Sequence, residues 1–516
     1  MVKKLLAVGL FFVGLACMGA SAEDGSRLWL RQDIAAQATV CCKLQSATLD
    51  KAKEELRKSW QGGPVILELC YDAEHTALGK EGYTIKTLSD SVRLGASSEA
   101  GLLYAAYHLL RLQETGAALE RLDIKEKPAY DLRIFNHWDN PDGTVERGYA
   151  GHSLWNWNEL PETLSPRYEA YARANASIGI NGTVLNNVNA SPNMLESGNL
   201  KKVKALADVF RPYGIKVYLS VNFAAPAVLG GLPNADPLDE GVFEWWKGKA
   251  KEIYSLIPDF GGFLVKANSE GQPGPCDYGR THADGANMLA RALKPYGGLV
   301  MWRAFVYNPT EHDRAKQAYA EFKPLDGTFL DNVIVQVKNG PIDFQPREPY
   351  SPLFTAMPHT SLMAELQITQ EYLGHSNHLV FLAPMWKEFF GYVRPESLRA
   401  VAGVSNIGNE ANWCGHDFAQ ANWYAFGRLA WNPRISSEDI AEEWLKQTFA
   451  DDSSFVCPMK KMMLESHEAA VSYMMPLGLH HIFAWNHHYG PEPWCEVEGA
   501  RPDWLPSYTI RRGKTG

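Results

Sequence analysis

Short apolar segments alternate with helix-like segments through residues 128–450, and this rhythm limits the fold more than any other feature of the chain. Eight of the apolar segments have the length of a strand: residues 132–136, 182–187, 216–221, 262–266, 298–303, 332–338, 364–369 and 379–384. Helical patterns separate them, for example at residues 168–178, 203–212, 243–256, 286–293 and 315–322. Eight successive strand–helix units predict a (β/α)₈ barrel, the TIM-barrel fold. The alternative is a doubly wound sheet, which we disfavour because no glycine-rich phosphate-binding motif follows any strand.

The 516 residues predict two or three domains rather than one. Residues 23–127 read as a small α/β domain, with strands at 65–69, 82–85 and 91–94 and a helix from Gly101 to Leu112 that Ser97 can cap. After the barrel, Ser436 and Asp439 resemble a capping box for a helix at 440–449. A second helix is predicted at 459–473, within a partial α-helical domain at 451–516.

The first 22 residues have the pattern of a signal peptide. Lys3 and Lys4 precede an apolar stretch at 5–15, and Ala20-Ser21-Ala22 forms a cleavage site, so the mature chain is expected to begin near Glu23 and to be secreted or periplasmic. Cys17 offers lipoprotein anchoring as an alternative, disfavoured because glycine stands at position 14. No apolar run is long enough for a membrane span.

The formal net charge of −9, without a basic run, argues against a nucleic-acid partner. The 16 tryptophans and 22 tyrosines suit sugar binding, although most of these rings are expected to fill the core. Seven scattered cysteines remain after cleavage and none forms a CxxC pair, so neither a disulfide framework nor a structural zinc is expected. The pairs His480-His481 and His487-His488 lack the spacing of a metal motif, so no metal or other cofactor is predicted. They are expected to hydrogen-bond at a domain interface, near Trp485 and Trp494.

Polar side chains follow every predicted strand of the barrel, at the end where barrel active sites lie. By strand, these are Asn136 to Asp139, Asn186 to Asn189, Asn222, Lys266 with Glu270, Arg303, Lys338 with Asp343, Glu371, and Trp386 with Lys387. Polar groups above apolar strand bodies indicate a ligand site, because surface charge alone would be scattered.

Three carboxylates converge at this mouth: Glu270, Asp343 and Glu371. Hydrolysis of a glycosidic bond needs one group to protonate the leaving oxygen and another to act as nucleophile or to activate water. Strands 6 and 7 are neighbours, so Asp343 and Glu371 could flank one water, with Glu270 across the sugar on the leaving-group side. This separation favours inversion. The alternative for Glu270 is a buried ion pair with Lys266 or Arg303.

Lys266, Arg303 and Lys338 place three cations at the same mouth. They would suit a substrate carboxylate, to which arginine offers a bidentate fork. They would also hold the enzyme's own carboxylates ionised. Simple charge balance is the alternative.

Several motifs resemble glycoside hydrolase family 67, the α-glucuronidases. The longest are Asn136-His137-Trp138-Asp139-Asn140, the segments 146–151 and 179–190, and Lys266-Ala267-Asn268-Ser269-Glu270-Gly271-Gln272-Pro273-Gly274-Pro275; Lys338-Asn339-Gly340-Pro341 and Ile368-Thr369-Gln370-Glu371-Tyr372 also match. The resemblance implies an inverting hydrolase that removes α-1,2-linked glucuronic acid, or its 4-O-methyl ether, from xylo-oligosaccharides.

The resemblance also implies roles for residues of this chain. Glu270 matches the general acid, and Asp343 and Glu371 match the pair that activates water, with their division of labour left open. Lys266, Arg303 and Lys338 match the contacts to the uronate. Trp138 and Val188 match the wall that accepts the 4-O-methyl group.

The resemblance to this family also implies a longer, three-domain protein, in which a helical C-terminal domain supports dimerisation. Here that domain is expected to be partial, which leaves homodimerisation open. A truncated, inactive remnant that at most binds acidic sugars is therefore an alternative to the active enzyme. A different exo-glycosidase, such as a hexosaminidase-like enzyme, is a third hypothesis, against which the three cations argue.

Overall fold

The computed structural model describes residues 23–31, 37–305, 314–375, 377–479, 482–483, 491–500 and 505–507. The predicted signal peptide, the four paired histidines and Trp485 lie outside these residues. Within the described ranges, no helix combines the length and the apolar character needed to cross a membrane.

The N-terminal domain is a five-stranded sheet with helices, so the predicted small α/β domain is confirmed, with two strands more than the three predicted. Its elements are β1 (Val40–Cys42), α1 (Ala47–Ser59), β2 (Val65–Leu69), α2 (Ala73–Ala77), β3 (Tyr83–Thr87), β4 (Val92–Ala96), α3 (Glu99–Glu114) and β5 (Asp123–Glu126). The strand order is β1-β2-β4-β3-β5, and β3 runs antiparallel to both neighbours. Ser98 caps α3, one residue later than the predicted Ser97, by accepting the amide of Gly101.

Eight parallel strands close into a barrel, so the predicted fold class is confirmed. The strands are β6 (Leu132–Asn136), β7 (Gly182–Val184), β8 (Lys216–Ser220), β9 (Gly262–Val265), β10 (Leu299–Arg303), β11 (Val333–Lys338), β12 (Leu362–Gln367) and β13 (Ala400–Val404). The register closes where β13 pairs with β6, from Ala400 opposite Leu132 to Val404 opposite Asn136. The strands are mostly apolar, and inward apolar side chains from them form one cluster inside the barrel.

Helices surround the barrel, and two more follow it. They are α4 (Pro166–Ser177), α5 (Ser197–Phe210), α6 (Ala225–Gly230), α7 (Glu240–Leu256), α8 (His282–Leu293), α9 (Arg314–Phe322), α10 (Leu353–Ala356), α11 (Ala383–Tyr392), α12 (Asp417–Trp431), α13 (Ser437–Thr448) and α14 (Ser453–Met474). The Ser436 hydroxyl accepts the Asp439 amide and so caps α13, as the sequence predicts.

The eighth predicted strand, at residues 379–384, is wrong. This apolar run leads into α11, where Pro384 stands in the first turn, a position that suits proline. The true eighth strand, β13, has the sequence Ala-Val-Ala-Gly-Val. Gly403 lies under α12, where a Cβ would lie 3.0 Å from the ring of Phe426, whereas Ala400 and Ala402 pack inside the barrel.

This error also removes two residues from the mouth of the barrel. Trp386 is fully buried within α11. Lys387 donates from Nζ to the carbonyl of Pro433 at 2.7 Å. Neither side chain belongs to the site.

Candidate active site

The segment after β9 carries the first carboxylate of the mouth. Glu270 and Lys266 form an ion pair in which Nζ of the lysine donates to the carboxylate. Lys266 is buried, whereas 41% of the Glu270 side chain is exposed. Glu270 is therefore a solvent-accessible acid with a buried cation beside it.

Asp343 follows β11 and has two strong donors. Nζ of Lys338 lies 2.5 Å from its Oδ1, and the phenol of Tyr372 donates to its Oδ2 at 2.5 Å. Hydrogen bonds and a cation both favour the ionised form of a carboxyl group. Asp343 is therefore bound through one oxygen to a buried cation and through the other to a phenol.

Glu371 follows β12 and is only 4% exposed. Its Oε1 accepts from Nε of Arg147 at 2.7 Å, and its Oε2 accepts from Nε2 of Gln367 at 2.8 Å. Arg147 comes from the loop after β6, so two parts of the chain that are distant in sequence meet at this carboxylate.

The pKa values of Glu270 and Glu371 shift in opposite directions. Burial raises the pKa of Glu371, and the charge of Asp343 raises it further, against the opposing effect of Arg147. Burial also acts upward on the pKa of Glu270, but the charge and hydrogen bond of Lys266 outweigh it and lower that pKa. Because the charge of Asp343 acts on both groups, the structure brings the three carboxylates into one electrostatic neighbourhood.

The three cations do not have equivalent surroundings. Arg303 donates from Nε and Nη2 to Glu365 of β12, at 2.9 and 2.8 Å, and both side chains are buried. Lys266 lies close enough for the charge of Arg303 to help burial lower its pKa. Nζ of Lys338 lies 3.4 Å from the centre of the Phe305 ring. Thus all three cations lie at the mouth, each already paired with a carboxylate of the chain.

Trp138 and Val188 follow β6 and β7 and are almost fully buried. Both belong to the apolar cluster inside the barrel, together with Phe344, the neighbour of Asp343. They therefore form apolar wall beside the charged groups.

Sequence interpretation does not identify several side chains that contact these residues directly or through one other side chain. Arg147 and Tyr372 lie within the family motifs but were given no role, Glu365 lies inside an apolar strand, and Glu146 belongs to the loop after β6. Glu146 accepts from Asn187 and Asn189, and Asn189 in turn accepts from Lys266 at 2.7 Å. A charged residue within an apolar strand is the signal that could have revealed Glu365.

Among the described residues of the loops after β6, β9 and β11, four non-glycine residues have left-handed backbone conformations. Arg147, Asn268, Glu270 and Phe344 have φ values of 57°, 51°, 49° and 55°. Side chains other than glycine seldom adopt this conformation, and such residues cluster at functional sites.

One group of possible metal ligands occurs in the N-terminal domain within the described part of the chain. Cys70, Asp72 and His75 bring one ligand atom each within 4.8 Å of the others. Both ring nitrogens of His75 already have hydrogen-bond partners, Asp72 and Thr84. This group lies outside the barrel and plays no part in the site.

The fold and the site define a class: a (β/α)₈ barrel with an acidic site at the carboxyl ends of its strands. The model of the glycosyl hydrolase family 67 middle domain matches residues 112–394, and that of the family 67 C-terminus matches residues 414–514. The chain belongs to glycosyl hydrolase family 67.

Curated relatives are similar over most of the chain. A probable alpha-glucuronidase A of Aspergillus clavatus is 44% identical, over 82% of this chain and 54% of the relative. An alpha-glucuronidase of Hypocrea jecorina is also 44% identical, over 83% of this chain and 54% of the relative. The chain thus spans about half the length of these relatives.

Among solved structures, a GH138 enzyme targeting pectin rhamnogalacturonan II has a similar fold. Its TM-score is 0.60 at 16% identity, with 86% of this chain and 56% of that chain covered. At this identity, the similarity supports the architecture alone.

Proposed function

We propose that this chain is an inverting α-glucuronidase, which removes α-1,2-linked glucuronic acid or its 4-O-methyl ether from xylo-oligosaccharides. The observation that carries the proposal is the pairing of Lys266 with Glu270 and of Lys338 with Asp343 at one barrel mouth. Catalytic carboxylates paired with buried lysines suit a sugar that bears its own carboxylate, because the lysines can then bind the substrate. The relatives named alpha-glucuronidase support the same activity.

In this proposal Glu270 is the general acid and protonates the leaving oxygen. Asp343 and Glu371 bind the attacking water, and one of them accepts its proton. The two lie after neighbouring strands, and Asp343 raises the pKa of Glu371, so they act as a coupled pair. The assignment of the base within this pair stays open.

A general acid must carry a proton, yet Lys266 lowers the pKa of Glu270 in the substrate-free structure. A substrate carboxylate bound at Lys266 would share this cation and add a negative charge beside Glu270. Both changes raise the pKa of Glu270. Binding of a uronate would therefore help to protonate the acid, and a neutral sugar would not.

We assign Lys266, Lys338 and Nη1 of Arg303 to the uronate. Nε and Nη2 of Arg303 are held by Glu365, which fixes the guanidinium plane and orients the remaining nitrogen. Trp138 and Val188 would accept the 4-O-methyl group, because they are apolar and lie near these cations. We further propose that residues 1–22 direct export of the chain.

The direct test is incubation of the purified chain with 4-O-methylglucuronosyl xylotriose, followed by proton NMR of the first product. We expect 4-O-methylglucuronic acid to appear first as its β-anomer, because inversion converts the α-linkage. A folded chain that releases no uronic acid would contradict the activity, and the α-anomer as first product would contradict inversion. Glu244→Gln is a matched control for substitutions of the catalytic carboxylates, since Glu244 is an exposed carboxylate paired with Lys247 on α7.

A further inference from the structure

The loop that carries Asp343 is built around a buried carboxylate. The loop leaves β11 after Lys338 and reaches α10 at Leu353, and the amide of Ser351 donates to the carbonyl of Asn339 at 2.9 Å to close it. Glu348 lies inside the loop and is buried. Its charge is directed to the loop's own backbone.

Three backbone amides converge on this carboxylate. Oε1 of Glu348 accepts the amides of Asp343 at 2.5 Å and Gln345 at 2.8 Å, and Oε2 accepts the amide of Ile342 at 2.6 Å. Between Asp343 and Gln345, Phe344 has a left-handed backbone, with φ of 55°. A left-handed residue beside others can turn successive amides towards one point, which creates a concave anion site. Here the anion is a side chain of the same loop.

The fit leaves little space on the other side of Glu348. A Cβ added to Gly340 would lie 2.2 Å from Oε2, so glycine is required for the close approach of the backbone. Burial raises the pKa of Glu348 to about 7, while the amide hydrogen bonds act in the opposite direction. The amides therefore stabilise the charged form of Glu348, and they depend in turn on Glu348 as their shared acceptor.

We propose that Glu348 is a positioning residue: as the shared acceptor of three backbone amides it fixes the main chain at Asp343, and thereby places the Asp343 carboxylate beside Glu371 for their shared water. The catalytic consequence of this inference rests on the proposed function. The anchoring of the loop is independent of that function. Only an acceptor suits this position, because a carboxamide would turn an N–H towards at least one of the three amides. A buried amide without its acceptor is costly, so the loop would rearrange.

Glu348→Gln tests this role, with Arg347→Ala as the control in the same loop. Arg347 pairs with Glu468 at the surface and does not contact the three carboxylates. We expect Glu348→Gln to lower kcat about 10- to 100-fold, since a small misplacement of a catalytic group has effects of that size. KM should change little, because the cations assigned to the uronate stay in place.

The decisive readout is the double variant Asp343→Asn/Glu348→Gln, assayed on an aryl α-glucuronide. If Glu348 acts through Asp343, its replacement adds no further loss once the Asp343 carboxylate is gone. A loss of the same factor in both backgrounds would overturn the proposal, as would a Glu348→Gln enzyme as active as Arg347→Ala. Gly340→Ala is a second variant in case Glu348→Gln does not fold, because it disturbs the same contact without changing the charge.

Amide hydrogen exchange separates this inference from the proposed function. We expect Glu348→Gln to speed exchange at Ile342, Asp343 and Gln345, and Arg347→Ala to leave it unchanged. If Glu348→Gln speeds exchange but the unaltered chain releases no uronic acid, the anchoring role is supported and the proposed function is rejected. If Glu348→Gln leaves exchange unchanged and the unaltered chain is active, the anchoring role is rejected and the proposed function is supported.

Discussion

Glu270 and Glu371 stand at two sides of one barrel mouth, after β9 and β12, and their surroundings differ. Glu270 is partly exposed, and a buried lysine lowers its pKa. Glu371 is buried, and desolvation together with Asp343 raises its pKa. The lowered pKa opposes the role of Glu270 as a proton donor, whereas the raised pKa makes the Glu371 carboxylate a stronger base. We call Glu270 with Lys266 the acid side of the mouth, and Glu371 with Asp343 and Arg147 the base side. The comparison indicates that the acid side needs the charge of the substrate to work, whereas the base side is complete within the protein.

The largest effect is expected on the base side. Asp343→Asn and Glu371→Gln should each lower kcat about 10²- to 10⁴-fold, the range of a general base. The loss should be equal on xylose and aryl leaving groups, because water activation does not depend on leaving-group basicity. A greater loss on one class of leaving group would place the residue on the acid side instead.

Lys266→Met removes the cation from the acid side. We expect kcat/KM to fall about 10- to 100-fold, the value of a charge-assisted hydrogen bond. Loss of the positive charge raises the pKa of Glu270, so the basic limb of the kcat/KM profile should move to higher pH. If the basic limb does not move, Lys266 does not control the pKa of the general acid.

Arg147→Met removes the cation from the base side, with an effect of about tenfold on kcat, smaller because 39% of the arginine side chain is exposed. Without Arg147 the pKa of Glu371 rises further, so the acid limb of the profile should move to higher pH. The two cation variants thus move opposite limbs. Movement of the same limb in both would remove the distinction between the two sides.

The smallest effect concerns the apolar wall. Val188→Ala should change the ratio of kcat/KM for methylated and unmethylated aldouronic acids by less than about tenfold, the value of one methyl group in an apolar pocket. Competition between the two substrates measures this ratio directly. Equal losses of kcat/KM on both substrates would show that Val188 packs in the core and does not contact the 4-O-methyl group.

Seven of the eight barrel strands could be predicted from the sequence, because their bulky apolar residues mark them. β13 could not, because its residues are small both inside the barrel and under α12, and the bulkier run at 379–384 resembles a strand more closely. The carboxylates were found because barrel sites follow strand ends. The residues that hold these carboxylates were not found, since Arg147 and Tyr372 reach the side chains, and Glu348 the Asp343 amide, through loop geometry that strand patterns do not encode.

The most direct test of the account is Glu270→Gln, measured on a xylose leaving group and on an aryl leaving group of low pKa. A general acid is needed far more for the xylose leaving group, so the account predicts a loss of about 10²- to 10⁴-fold on aldouronic acid and a much smaller loss on the aryl α-glucuronide. Equal losses on the two substrates would contradict the assignment of Glu270 to the acid side, and with it the division of the mouth into two sides.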